Sequence, residues 1–62
     1  MSLGELIATA RRAKKLTQAM LAEALGVSTE AVSKWEQNKY VPSPDKMEKL
    51  DAVLGLSLYA DC

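Results

Sequence analysis

The stretch TQAMLAEALGVSTEAVSKWEQNKYVPS (residues 17–43) carries the signals of two short helices that meet at a tight corner. Thr17 can cap a helix over residues 18–25, because its hydroxyl accepts a hydrogen bond from an amide of the first turn. Gly26 then ends that helix, since glycine adopts a positive φ without strain. The pattern therefore predicts a helix that stops abruptly at a glycine.

A second helix is predicted over residues 29–36, with Ser28 as its cap and Trp35 on its inward side. Only about three residues separate the two helices, so they must cross at a steep angle as a helix-turn-helix. The outward side of the second helix then carries four polar side chains, Thr29, Glu30, Ser33 and Lys34. Such groups can donate or accept along base edges, whereas the bland interpretation is an ordinary solvated helix face. The preceding helix and the glycine corner favour the DNA-reading interpretation.

Two further helices are predicted to flank this unit. The first covers residues 3–14, where Ser2 and Glu5 have the spacing of a capping box. The other opens at Ser-Pro-Asp (residues 43–45), which supplies a cap, a first-turn proline and a first-turn acid, and it closes at Gly55.

The predicted fold class is all-α, with four to five helices around one core. Asn38 is expected to end the third helix in a left-handed conformation. Residues 56–59 are compatible with one more turn capped by Ser57, which would be a fifth helix. The predicted core consists of Leu6, Ile7, Ala10, Leu21, Leu25, Val32, Trp35, Leu50 and Leu54.

Composition narrows the possible functions. A chain of 62 residues predicts a single domain over 1–62, with the helix-turn-helix at about 17–37. No apolar run approaches the roughly 20 residues of a membrane span, and no signal peptide precedes the first helix, so we expect a cytoplasmic protein without a membrane partner. The chain has no histidine, and Cys62 is its one cysteine. We therefore predict no metal, no cofactor, no small-molecule substrate and no enzymatic activity.

The net charge is zero, but the charges are unevenly distributed. Six basic and four acidic residues lie in residues 1–40, and two basic and four acidic residues follow, so the two parts carry +2 and −2. Four cations gather at the end of the first helix, namely Arg11, Arg12, Lys14 and Lys15. They complement the negative helix end or contact phosphate, and for Arg12 and Lys14 both interpretations stay open.

The pattern T-Q-x-x-L-A-x-x-L-G-V-S-x-x-x-V-S-x-W-E, followed by a loop and P-S, resembles the phage repressor and Cro type (XRE-like) of helix-turn-helix. The resemblance spans about residues 3–58. It implies a lambda-repressor-like five-helix domain of a transcription regulator. Such a regulator binds double-stranded DNA at a two-fold symmetric operator as a homodimer.

The resemblance also implies roles for individual residues. The residues expected to contact bases are Thr29, Glu30, Ser33, Lys34 and Gln18. The residues expected to contact the DNA backbone are Thr17, Gln18, Asn38, Lys39 and Tyr40. Arg12 is included with them, although its role at the helix end stays an alternative. Arg11 and Glu36 correspond to a partly buried, structural ion pair.

Some positions depart from the family pattern. Asn38 stands where relatives usually have glycine, Asp51 replaces a small apolar residue that is normally packed inside, and Met20 occupies a usually polar, exposed position. Residues 59–62 lack the bulky apolar side chains that help such domains to dimerise. A rival hypothesis is a protein-binding module, such as an antitoxin or anti-repressor, that holds its partner through the apolar tail at Leu56, Leu58 and Tyr59, with or without Met20. The zero net charge favours this rival, and the polar outward side of the third helix disfavours it.

Overall fold

The computed structural model describes residues 2–56 and folds them into helices at the predicted places. These are α1 (Leu3–Ala13), α2 (Gln18–Leu25), α3 (Thr29–Glu36) and α4 (Pro44–Leu54). The bounds of α2 and α3 match the prediction, and α1 ends one residue earlier than predicted. The proposed extra turn capped by Ser57, and the apolar tail at Leu58 and Tyr59, lie outside the described residues.

Each of the four helices within residues 2–56 begins at a hydroxyl cap. The hydroxyl oxygen accepts from the amide three residues later, at 3.0 to 3.4 Å, in each of Ser2, Thr17, Ser28 and Ser43. At α1 the predicted capping box is complete, because Glu5 Oε1 accepts from the Ser2 amide at 3.0 Å. Each cap satisfies an amide that has no partner within its helix, which explains why these four residues set the helix starts.

The corner between α2 and α3 depends on Gly26. Its φ of 72° is left-handed, and its amide donates to the carbonyls of Ala22 and Glu23. The amide of Val27 also donates to the Ala22 carbonyl, at 3.0 Å. Because Ala22 is small and buried, α2 and α3 approach closely, while Val27 packs against the core at the corner. The helix-turn-helix geometry is thus confirmed.

The core forms where α2 and α3 pack on each other, α3 also packs on α1, and α4 packs on α1 and α2. Seven predicted core residues are buried, namely Ile7, Leu21, Leu25, Val32, Trp35, Leu50 and Leu54. Trp35 is 7% exposed, which confirms it as a core residue. This arrangement leaves the side of α3 opposite Trp35 facing outward.

The prediction was wrong for Leu6, which is 37% exposed, and Ala10 is only partly buried. Ala8 is buried instead. Successive residues of a helix lie about 100° apart, so a face centred between Ile7 and Ala8 turns Leu6 outward. The buried residues of α1 are Gly4, Ile7 and Ala8, on the side where the helix packs on α3 and α4.

Gly4 explains why this face of α1 is the one turned toward α3. A Cβ at Gly4 would lie 2.6 Å from the Glu36 carbonyl oxygen and 2.7 Å from that of Trp35. Asn38 has a φ of 63°, which confirms the expected left-handed conformation, and its side chain turns toward α1. There Asn38 Oδ1 accepts from the Gly4 amide and its Nδ2 donates to Ser2 Oγ, both at 3.0 Å. The start of α1 is therefore joined directly to the end of α3.

Candidate nucleic-acid interface

The outward side of α3 is a polar surface. Thr29 and Glu30 in its first turn are exposed, whereas Ser33 and Lys34 in its second half are half-buried. Ser33 Oγ accepts from Gln37 Nε2 at 2.9 Å, so one of its lone pairs is already engaged. All four residues lie together on one side of α3, as the spacing predicted.

The segment after α3 lies beside this surface. Lys39 and Tyr40 are exposed, and the Lys34 ammonium lies 5.6 Å from the centre of the Tyr40 ring. That distance allows a cation–π interaction, which orients Lys34 against the loop. The structure directs the side chain of Asn38 toward α1 instead, so any contact of Asn38 with a phosphate would use its backbone.

Glu36 is the centre of a hydrogen-bond cluster that joins three helices. Arg11 Nε lies 2.7 Å from Glu36 Oε2, and Arg11 Nη2 lies 3.3 Å from Oε1. Gln18 Nε2 donates to the same Oε1 at 2.9 Å, and Arg11 Nη1 donates to the Leu16 carbonyl at 2.8 Å. The side chains of Arg11 and Glu36 are 11% and 8% exposed, so their charges neutralise each other largely away from water.

This cluster also fixes Gln18, the first residue of α2. One amide proton of Gln18 is given to Glu36, which leaves its carbonyl oxygen and the second proton for another partner. Next to it, the hydroxyl oxygen of Thr17 accepts from the Met20 amide at 3.0 Å. Sequence reasoning missed the contact between Gln18 and Glu36, because no local pattern links residues 18 positions apart.

Arg12 lies in a different setting. It is exposed and lines an open cleft of about 320 Å³ with Glu5, Ala8, Thr9 and Glu36. The cleft therefore runs between the outer side of α1 and the end of α3. Glu5 and Glu36 line the same cleft, so Arg12 lies in a more acidic setting than Lys39, although both side chains are exposed.

A second, smaller recess lies on the candidate interface itself. It measures about 240 Å³ and is lined by Ser28, Glu30, Ala31, Lys34 and Tyr40. The walls are largely apolar, although charged groups border them. Sequence reasoning missed the recess, because it forms only where the loop brings Tyr40 against α3.

Among residues 2–56, no helix combines the length and the apolar character needed to cross a membrane. Within the same residues, the acidic side chains form no group of three placed to hold a metal ion.

Comparison with known proteins agrees with this geometry. A family model described as Helix-turn-helix matches residues 7–60. The chain belongs to the XRE-type helix-turn-helix family, the phage repressor and Cro type, which consists of DNA-binding regulators.

A curated relative is Multiprotein-bridging factor 1c from Arabidopsis thaliana, which is 38% identical over 53 residues. The match covers 86% of this chain but only 36% of that protein. The chain thus spans about a third of the relative's length. No solved structure gave a significant match.

Proposed function

We propose that this protein is a sequence-specific transcriptional regulator that binds double-stranded DNA, as a repressor or a Cro-like switch protein. In this proposal α3 enters the major groove of a palindromic operator, and two copies of the single domain bind the two half-sites as a homodimer. The bound protein would repress transcription by blocking polymerase at the operator. This mechanism requires no cofactor, small-molecule substrate or membrane, and the protein would act in the cytoplasm.

The observation that carries the proposal is the outward side of α3. Its opposite side is buried through Val32 and Trp35, and its end is held by Glu36. A rigid helix with a polar outer side satisfies the geometric requirement of major-groove recognition, because base edges must be met at fixed positions.

Each side chain has a role in this proposal. Lys34 donates to guanine O6 and N7, and Glu30 accepts from cytosine N4. The short Thr29 and Ser33 side chains can hydrogen-bond to donors or to acceptors on the base edges. Glu30 repels phosphate, so it discriminates between bases without adding affinity.

Contacts to the DNA backbone come from the rims of this surface. Thr17 and Gln18 stand at the N-terminus of α2, where amides and the helix dipole attract a phosphate. Asn38, through its backbone, and Lys39 and Tyr40 contact the opposite rim. Arg12 would contribute only at the periphery.

Selection of bound duplexes from a random pool tests the proposal. We expect a palindromic consensus, since two identical domains read inverted half-sites. Lys34→Ala should relax the choice of base at one position of each half-site, where a good bidentate contact contributes about 1–3 kcal/mol of discrimination. Lys39→Ala should weaken binding to all sequences evenly, because a phosphate contact carries no sequence information. Recovery of a pool no different from the input would refute the proposal.

A protein-binding module remains the second candidate, and two observations favour it. The relative named Multiprotein-bridging factor 1c is by its name a protein that bridges others, and Met20 and Val41 are apolar side chains that are 48% and 76% exposed. The two functions differ in their response to salt. Affinity for duplex DNA that falls steeply as salt is added supports the first, and affinity that is absent or indifferent to salt supports the second.

A further inference from the structure

The recess beside α3 has one side made by the helix and one side made by the loop. Ala31, which is half-buried and also packs against the core, supplies a methyl group from the helix, and the Tyr40 ring supplies an aromatic wall from the loop. Lys34 joins the two sides, because its ammonium lies 5.6 Å from the ring centre. Glu30 borders the same recess. The result is an apolar hollow between a cation and a carboxylate.

The major groove of DNA offers few apolar groups that fit such a hollow. Its base edges display ring nitrogens, carbonyl oxygens and amines, and the apolar group among them is the methyl at C5 of a pyrimidine. A methyl group that enters the recess leaves water and contacts the alanine methyl and the tyrosine ring. A polar base edge in the same position would lose hydrogen bonds to water that Ala31 and the ring cannot replace.

We propose that this recess binds the C5-methyl group of a pyrimidine, and that Ala31 and Tyr40 are therefore specificity-determining residues. This inference rests on the proposed binding of duplex DNA by α3. It adds to that function an apolar contact that none of the polar residues of α3 provides. The Tyr40 hydroxyl stays available for a phosphate, while its ring forms the wall.

Two pyrimidines, thymine and 5-methylcytosine, carry such a methyl group. Their neighbouring groups would contact different charged residues at the border of the recess, Lys34 or Glu30. In thymine the neighbouring group is the O4 carbonyl, which would accept from the Lys34 ammonium in place of the guanine atoms assigned to it above. In 5-methylcytosine the neighbouring group is the N4 amine, which donates to the Glu30 carboxylate. Both bases thus share the recognised methyl group, and they differ in the charged residue that meets the adjacent atom.

The experiment uses the duplex obtained by selection from a random pool and changes single methyl groups within it. In one set, each thymine is replaced in turn by deoxyuridine, which removes only the methyl group. In the other set, each cytosine is replaced in turn by 5-methylcytosine, which adds only that group. Affinity is measured by fluorescence anisotropy at one fixed salt concentration. We expect one position per half-site where the methylated form binds about fourfold more tightly, the value for burial of one such group.

Variants of Tyr40 locate the effect in the recess. Tyr40→Ala should abolish the difference between the methylated and unmethylated duplexes, whereas Tyr40→Phe, which keeps the ring, should preserve it. Tyr40 is 63% exposed in a loop, so both variants should keep the helical circular dichroism of the parent.

The outcomes separate the inference from the function on which it rests. A protein that selects a specific duplex but ignores every methyl change overturns the inference and leaves the proposed function intact. A methyl effect that survives in Tyr40→Ala also overturns it, because the contact then lies elsewhere. If no specific duplex is selected, the proposed function fails and the inference fails with it.

Discussion

At the scale of single residues, Gly4 couples α1 to the end of α3. Its missing side chain lets α1 approach within contact of the Glu36 and Trp35 carbonyls, and its amide donates to Asn38. Glycine ordinarily weakens a helix, by about 1 kcal/mol relative to alanine. Here the close packing of two helix ends compensates for that cost.

Gly4→Ala should therefore destabilise the protein although alanine favours helix. The added methyl would meet backbone oxygens closer than 3 Å, so α1 and α3 must move apart. We expect a loss of about 1–3 kcal/mol in the free energy of unfolding, measured by urea denaturation. Thr9→Ala, at an exposed position of the same helix, is the matched control and should change stability by less than about 0.5 kcal/mol. Equal stability of Gly4→Ala and the parent would show that the helix ends are not closely packed.

Glu36 is the second residue on which the structure depends. It is largely buried and receives donors from Arg11 and Gln18, so its removal leaves a guanidinium with little water around it. Sequence reasoning expected a structural role for the pair of Arg11 and Glu36, and the two side chains are in contact. The contribution of the pair to stability stays a prediction.

Glu36→Ala should lower the free energy of unfolding by about 3–5 kcal/mol, since it strands a buried charge. Loss of that size is a large part of the stability of so small a domain. The control is Lys46→Ala, which breaks a 3.7 Å pair with the exposed Asp45 and should cost less than about 1 kcal/mol. Thermal melts that coincide for Glu36→Ala and the parent would rule out a stabilising role for the buried pair.

At the scale of elements, the corner between α2 and α3 shows a different use of glycine. A Cβ at Gly26 would meet nothing within 4 Å, so there is space for a side chain. The requirement lies in the backbone, whose φ of 72° is costly for residues other than glycine. The need for glycine at position 26 thus comes from its backbone conformation and not from packing around it.

Gly26→Ala should cost about 1–2 kcal/mol through strain alone, and Gly26→Asn should cost less, because asparagine visits this conformation more readily. Asn38, with its φ of 63°, is an example within the same chain. Urea denaturation of both variants measures the difference. If asparagine and alanine destabilise equally, strain at φ is not the determinant of this corner.

The elements themselves were largely predictable from sequence, and the contacts between them were not. Ser28 and Gly26 mark the helix ends locally, so the bounds of α3 and of α2 followed from caps and breakers. Periodicity placed an apolar stripe on α1 but did not show which neighbour approaches it, and Leu6 was therefore placed wrongly in the core. The contacts of Gln18 with Glu36 and of Lys34 with Tyr40 depend on how separate segments are oriented. No local pattern records that orientation.

At the scale of the whole molecule, the distribution of charge matters more than its sum. Residues 1–40 carry a net +2, and the remainder, which includes α4, carries −2. Because α4 packs on α1 and α2, its net charge of −1, from three acidic and two basic residues, lies on an element that does not form the outward side of α3. A protein of zero net charge can thus still present cations to DNA.

Affinity for random duplex DNA should fall linearly with salt concentration on logarithmic axes. Each phosphate contact contributes about 0.9 to the slope, so Lys39→Ala should reduce its magnitude by about that amount. Lys49→Ala, at an exposed position of α4, should leave the slope unchanged. Titrations at four or more salt concentrations measure both slopes. If Lys49→Ala changes the slope and Lys39→Ala does not, the DNA contacts the α4 side of the molecule and the proposed interface is wrong.

The tie from Asn38 to Gly4 and Ser2 has a consequence for the kinetics of recognition. Because the C-terminal end of α3 is held in this way, the backbone of the helix is already ordered when the chain folds, and docking would have to order mainly its exposed side chains. Encounter with an operator should then be governed by diffusion and orientation. The lifetime of the complex, set by how fast the two partners separate, would distinguish one operator from another.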